Sequence, residues 1–154
     1  MAGKAGLKAG AIGVIVMVVW TVIGRLVPAI SSGVMMYVSC GISSLLYLGT
    51  GVLAGVFLVS PRTMGKGATA GAIAGLIAGG GGSILGVVIM LIQVGSTGII
   101  PGLNPDQAQL LAESNMDPTM LSLVGGVCGV GLALALGAGL GAAGGAISAA
   151  LKGD

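Results

Sequence analysis

The side chains able to do acid–base, nucleophilic or metal chemistry are few: Asp106, Glu113, Asp117 and Asp154, Cys40 and Cys128, with no histidine in 154 residues. Without imidazole, general-base catalysis of the usual kind, haem ligation by His and ordinary zinc sites are excluded. Asp106, Glu113 and Asp117 share one segment and are a candidate attraction for a cation or a basic partner. Calcium, however, wants six or more oxygens at fixed spacing, and no such loop is written here. Asp106 and Asp117 stand instead where helix N-termini want a carboxylate. The run Gly79 to Gly82 invites comparison with a phosphate-binding loop, but the Walker pattern places Lys and then Ser or Thr after its glycines. Ser83 and Ile84 follow instead. No cofactor, no metal, no nucleic-acid partner and no enzymatic activity is expected.

The elements that would carry these residues follow from composition. Hydrophobic residues make up 55% and charged residues 6%, with a mean hydropathy of +1.13. A soluble surface needs roughly 25% charged residues, so ten of them cannot keep this chain in water. Collagen fails because the 32 glycines keep no three-residue register, and disorder fails because it requires low hydrophobicity and high charge. A bilayer core about 30 Å thick requires about 20 apolar residues per helix. Four stretches qualify, at about 9–27, 34–59, 67–94 and 118–150, with a connection over 95–117. The expectation is an all-α integral membrane protein: one domain, a four-helix transmembrane bundle with glycine-zipper packing and a short amphipathic outer helix. A competing reading takes Lys4, Lys8, the apolar run and Val27 with Ala29 as a cleavable secretory signal. Arg25 is out of place in such a cleavage region.

Charge orients the spans. Lys and Arg near span ends stay cytoplasmic. Lys4, Lys8, Arg62, Lys66 and Lys152 fall on one face with Asp154, a net of +4, whereas Arg25 shares the other with Asp106, Glu113 and Asp117, a net of −2. Both termini are expected in the cytoplasm of a multi-pass protein of the cell membrane. Arg25, Arg62 and Lys66 are candidate lipid-headgroup contacts. Pairing with an outer carboxylate or guarding a pore mouth are the alternatives for Arg25.

The glycines carry the main pattern. Lipid gives helices little drive to associate, so contact depends on small residues that let backbones approach. Gly67, Gly71, Gly75 and Gly79 recur every four residues, and Gly82 and Gly86 resume the row after a slip. Gly125, Gly129, Ala133, Gly137, Gly141 and Gly145 form a second row. Such rows are expected to lie nearly along one helix face. Gly51 with Gly55 and Gly6 with Gly10 add shorter GxxxG pairs. These rows serve either packing within the chain or a face left over for copies or a partner. Gly80, Gly82, Gly126, Gly139 and Gly144 put small residues on neighbouring faces as well, which favours assembly.

Between the third and fourth spans, Asn104, Pro105 and Gln107 spell a capped helix start. Leu103, Leu110 and Leu111 give residues 105–114 an apolar side, so a short amphipathic helix on the outer surface is expected. Asp117 and Pro118 repeat the cap for the fourth span. Ser60, Pro61 and Arg62 begin the third helix or a lead into it. Cys40 and Cys128 both lie roughly 10 to 15 Å deep at about 1.5 Å per residue, which leaves open whether they pair. Ser39, Ser43, Ser44, Thr50 and Ser83 are expected to bond their own helix carbonyls. Gln93 is the most polar side chain within a span and a candidate helix glue.

Residues 51–75, GVLAGVFLVSPRTMGKGATAGAIAG, place a GxxxG before a short basic turn and Gly65, Gly67, Gly71 and Gly75 after it. The segment resembles small glycine-rich four-span membrane protein families of unknown function from archaea and bacteria. That resemblance implies the topology and supplies no site. The fourth span, GVGLALALGAGLGAAGG, is similar to the glycine-packed helices of rotary ATPase proteolipids but lacks their membrane carboxylate. Long small-residue rows without reactive groups point to a non-enzymatic structural or accessory protein, assembling with itself or a larger membrane complex in the lipid bilayer. A small oligomeric channel, with Gln93, Ser83 and Ser43 meeting water, is the alternative.

Overall fold

A computed structural model describes residues 2–26, 33–59, 63–97, 109 and 117–152, and every regular element among them is helical. Four helices follow one another: α1 (Ala2–Leu26), α2 (Gly33–Val56), α3 (Met64–Thr97) and α4 (Pro118–Leu151). All four are long and apolar enough to cross a membrane. The helices α3 and α4, 34 residues each, reach roughly 50 Å at 1.5 Å per residue. That exceeds a hydrocarbon core of about 30 Å, so they tilt or project beyond it. The expected outer helix over 105–114 lies outside the described residues, except for Gln109, which is helical and exposed.

α1 begins at Ala2, a full two turns before the expected start near Ala9. The residue spacing explains the extension. Ala2, Ala5, Gly6, Ala9, Gly10 and Gly13 share one helical face at 3.6 residues per turn, with Lys4 and Lys8 on the other. Ala5 and Ala9 are buried in a cluster with Ala54, Leu58, Ala70 and Ala74, while both lysines are exposed. Thus α1 packs against the bundle along its whole small face and keeps its charge outward.

Two helix starts are fixed by side-chain caps. Asp117 accepts a hydrogen bond from the Thr119 N–H at 2.8 Å, Pro118 occupies the first turn, and the Asp117 carbonyl accepts from the Leu121 N–H. The Thr63 hydroxyl does the same for α3, accepting from the Lys66 N–H at 3.3 Å. Removing such a cap costs about 0.5 to 2 kcal/mol. Asp117→Ala is therefore expected to lower the thermal midpoint in detergent, and Asp117→Asn to restore most of it. Equal midpoints for Asp117→Ala and the wild type would show that the cap contributes nothing to stability.

Apart from Met17, Leu58 and Val94, the buried side chains are small, and the large ones face outward. Buried positions include Ala54, Ala70, Ala74, Ala78 and Ala149 with the hydroxyl residues Thr50, Ser122 and Ser148. By contrast Ile15, Leu45, Ile92 and Val127 are 63 to 68% exposed. Soluble monomers seldom expose apolar patches beyond a few hundred Å². In lipid the arrangement is the favourable one, since large side chains lose nothing by facing acyl chains and small ones bring backbones together.

Candidate functional site

The most extensive contact in the bundle is between α3 and α4, and it is made by glycine on glycine. Gly67 lies against Gly145, Gly71 against Gly141, Gly75 against Gly137, and Gly79 against Ala133. One number rises by four as the other falls by four, which is the register of antiparallel helices meeting turn by turn. A Cβ added at Gly79 would stand 2.7 Å from the Ala133 carbonyl oxygen, and one at Gly137 2.5 Å from that of Gly75. At Gly67, Gly71 and Gly75 the opposing carbonyl oxygen is closer still. Any side chain here would force the backbones apart and forfeit their many small dispersion contacts.

The same glycines of α4 also receive α2. Gly51 lies on the Gly141 backbone, the Ser148 hydroxyl fills the place where a Gly55 side chain would be, and Gly144 abuts the Leu48 carbonyl. Ser148 returns its proton to the Gly145 carbonyl at 3.1 Å, so the hydroxyl is satisfied within its own helix. The Tyr47 ring comes within 3.6 Å of the Cβ positions of both Gly79 and Gly137. It fills the wedge where the three helices meet. Sequence reasoning passed over Tyr47, although the row Tyr47, Gly51, Gly55 at four-residue spacing carried the signal.

On the opposite side of α3, α1 runs parallel to it. A Cβ added at Gly6 would stand 2.7 Å from the Ala70 carbonyl oxygen, Gly10 faces Ile77 and Ala74, and Gly13 faces Thr50 and Ala78. The four-glycine run stays helical and divides its faces between neighbours. Gly79 and Gly80 meet Ala133 and Leu134 of α4, whereas Gly81 and Gly82 meet Val14 and Met17 of α1. Successive residues turn about 100°, so four consecutive glycines let α3 be approached closely from two sides.

Gly125 and Gly129 stand apart from the rest of their row, with no neighbour among the described residues within 4 Å of a Cβ placed there. Helical geometry explains it. A step of four residues turns about 400°, so the row precesses about 40° per step and about 200° from Gly125 to Gly145. One end of the row faces α3 while the other has rotated outward. Of the off-row glycines, Gly126 lies against Val87, 3.0 Å from where its Cβ would be, and Gly80, Gly82 and Gly144 have the contacts given above, which leaves Gly139 of that set open among the described residues. Gly125, Cys128, Gly129, Leu132, Leu136, Gly139 and Ala143 form one continuous exposed face of α4.

The remaining candidates are dispersed. Arg25 sits in the last turn of α1, and the exposed Lys66 in the first turn of α3. Arg62, Asp106 and Glu113 lie outside the described residues. Cys40 and Cys128 are free, exposed thiols on α2 and α4. Ser44, Thr50 and Ser83 donate to the carbonyls of Cys40, Tyr47 and Gly79 at 2.6 to 2.9 Å, as their spacing within helices predicts. Among the described residues no three His, Cys, Asp or Glu side chains converge on a metal position.

Inward small residues, outward large ones and four apolar helices of spanning length define the class: a multi-pass α-helical membrane protein. Comparison of the chain with protein-family models, with curated proteins and with solved structures finds no match.

Proposed function

We propose that the chain is a non-enzymatic structural or accessory protein of the cell membrane that assembles through small-residue helix faces, with copies of itself or with a larger membrane complex. In this reading the α3–α4 seam is a glycine zipper that makes the subunit rigid, and the short amphipathic helix over 105–114 rests on the outer surface. The observation that carries the proposal is the outward face of α4. Among the described residues nothing lies within 4 Å of a Cβ added at Gly125, Gly129 or Gly139, and the pairs Gly125 with Gly129 and Gly139 with Ala143 keep the four-residue small-residue spacing that brings helices together in lipid. A pore draws less support, because Ser83, one of the side chains it would turn to water, gives its proton to the Gly79 carbonyl of its own helix. Native mass spectrometry from mild detergent or nanodiscs tests the proposal. Oligomers or a co-purifying complex are expected; a strictly monomeric species at several concentrations, with no partner, would remove it.

The proposed orientation places both termini in the cytoplasm, on the +4 against −2 charge split. In a thiol-free background, a cysteine replacing Gln109 should react with an impermeant reagent added outside. One replacing Met64 should not, and the reverse pattern would invert the topology.

A further inference from the structure

An open groove of about 760 Å³ lies where the start of α1 meets the end of α2, lined by Gly3, Lys4, Ala5, Lys8, Phe57 and Val59. Its two sides differ in chemistry. Lys4 and Lys8 are one helical turn apart on α1 and therefore neighbours along the axis, both exposed, with no acidic residue in the first turn of the helix. Neither has a carboxylate partner among the described residues, and the positive end of the helix dipole adds to their field. Opposite them α2 has ended. Leu58 turns inward, 4% exposed, and leaves Phe57 and Val59 outward, 41% and 70% exposed. A Cβ at Gly3 would meet no atom of the described residues within 4 Å.

We infer that this groove holds the headgroup of an anionic glycerophospholipid, with its phosphate between the ammonium groups of Lys4 and Lys8 and the start of an acyl chain against Phe57 and Val59. A cationic pair beside an apolar wall matches an amphiphile and not a free anion. Inorganic phosphate would gain the charge but nothing from Phe57, and a zwitterionic lipid would set its own cation against the lysines. The location agrees, since the groove sits at the end of spanning helices, where headgroups lie, and its volume is in the range of sites for small ligands. Basic residues near a membrane surface each contribute enough to make two of them selective. The inference rests on membrane embedding and is independent of self-assembly.

The test is native mass spectrometry of the full-length protein in mild detergent, titrated with phosphatidylglycerol and, separately, phosphatidylcholine. The wild type should retain phosphatidylglycerol preferentially. The double variant K4Q/K8Q should weaken its binding roughly tenfold to thirtyfold, while K152Q, which removes a charge outside the groove, should leave it unchanged. Millimolar inorganic phosphate should fail to displace the lipid. K4R/K8R keeps the charge and should bind like the wild type, which separates a lost site from a damaged fold. Equal retention by K4Q/K8Q and wild type, equal weakening by K152Q, or displacement by phosphate alone would each overturn the inference.

Discussion

Gly75→Ala, the addition of one methyl group, should destabilise the bundle, whereas the same change at Gly129 should leave it as stable or more so. In a helix interior Gly→Ala normally stabilises by about 1 kcal/mol, because alanine loses less backbone freedom on folding. At Gly129 no described residue opposes that gain, since a Cβ there meets none of their atoms within 4 Å. At Gly75 the new methyl falls on the Gly137 carbonyl oxygen, and backbone cannot rotate aside as a flexible side chain would. Overpacking of this kind costs about 1 to 3 kcal/mol. The sign of the effect therefore reverses between two glycines of similar sequence context. Gly75→Leu and Gly141→Leu should go further and separate α3 from α4, with α2 following at Gly141 because Gly51 rests on the same residue. Unfolding in bicelles or mild detergent measures this. Equal stability of Gly75→Ala and Gly129→Ala would mean that the seam is not closed by the glycines.

Which parts of this arrangement were legible in the sequence depends on the range of the interaction that decides them. Four spanning helices follow from runs of apolar residues, and α4 starts at Pro118 because Asp117 caps locally. Both are short-range properties. The start of α1 was less visible, because Lys4 and Lys8 mark the edge of an apolar run but not of a helix; Ala5 and Ala9 pack on Ala70 and Ala54 from another part of the chain. The glycine rows announced close approach without saying to whom. Which of Gly79, Gly80, Gly81 and Gly82 meets α1 and which meets α4 is settled by helix rotation and antiparallel register, and neither is encoded in one segment. The outward turn of Gly125 and Gly129 was derivable from a 40° precession per step, which a four-residue spacing read as a straight line hides. Tyr47 illustrates the remainder. Its position between Gly79 and Gly137 depends on three helices at once.

On the proposed self-assembly, Gly129→Leu combined with Gly139→Leu should abolish association while the monomer stays folded. Both positions are open among the described residues, so the new side chains enter lipid-facing space and cost the fold little. In an assembly closed by this face they would fill the gaps that Gly129 and Gly139 leave on either side of Leu132 and Leu136, and the helices could no longer approach closely there. The intervening Cys128 makes the arrangement testable without disrupting it. Cys128 is a free thiol on the same exposed face, and a twofold contact brings equivalent residues near one another across its axis. A disulfide requires the two Cα atoms to lie within about 4.4 to 6.8 Å, a distance reached only where helices touch closely. Mild oxidation of the protein in vesicles, in a Cys40→Ala background, should therefore give a Cys128-linked dimer in the wild-type sequence and none in the double leucine variant. Circular dichroism and thermal midpoint should match between the two. A monomer-only outcome for both would direct the assembly reading away from self-association and toward a different membrane protein. Crosslinking unaffected by the leucines would place the contact on another face of the bundle.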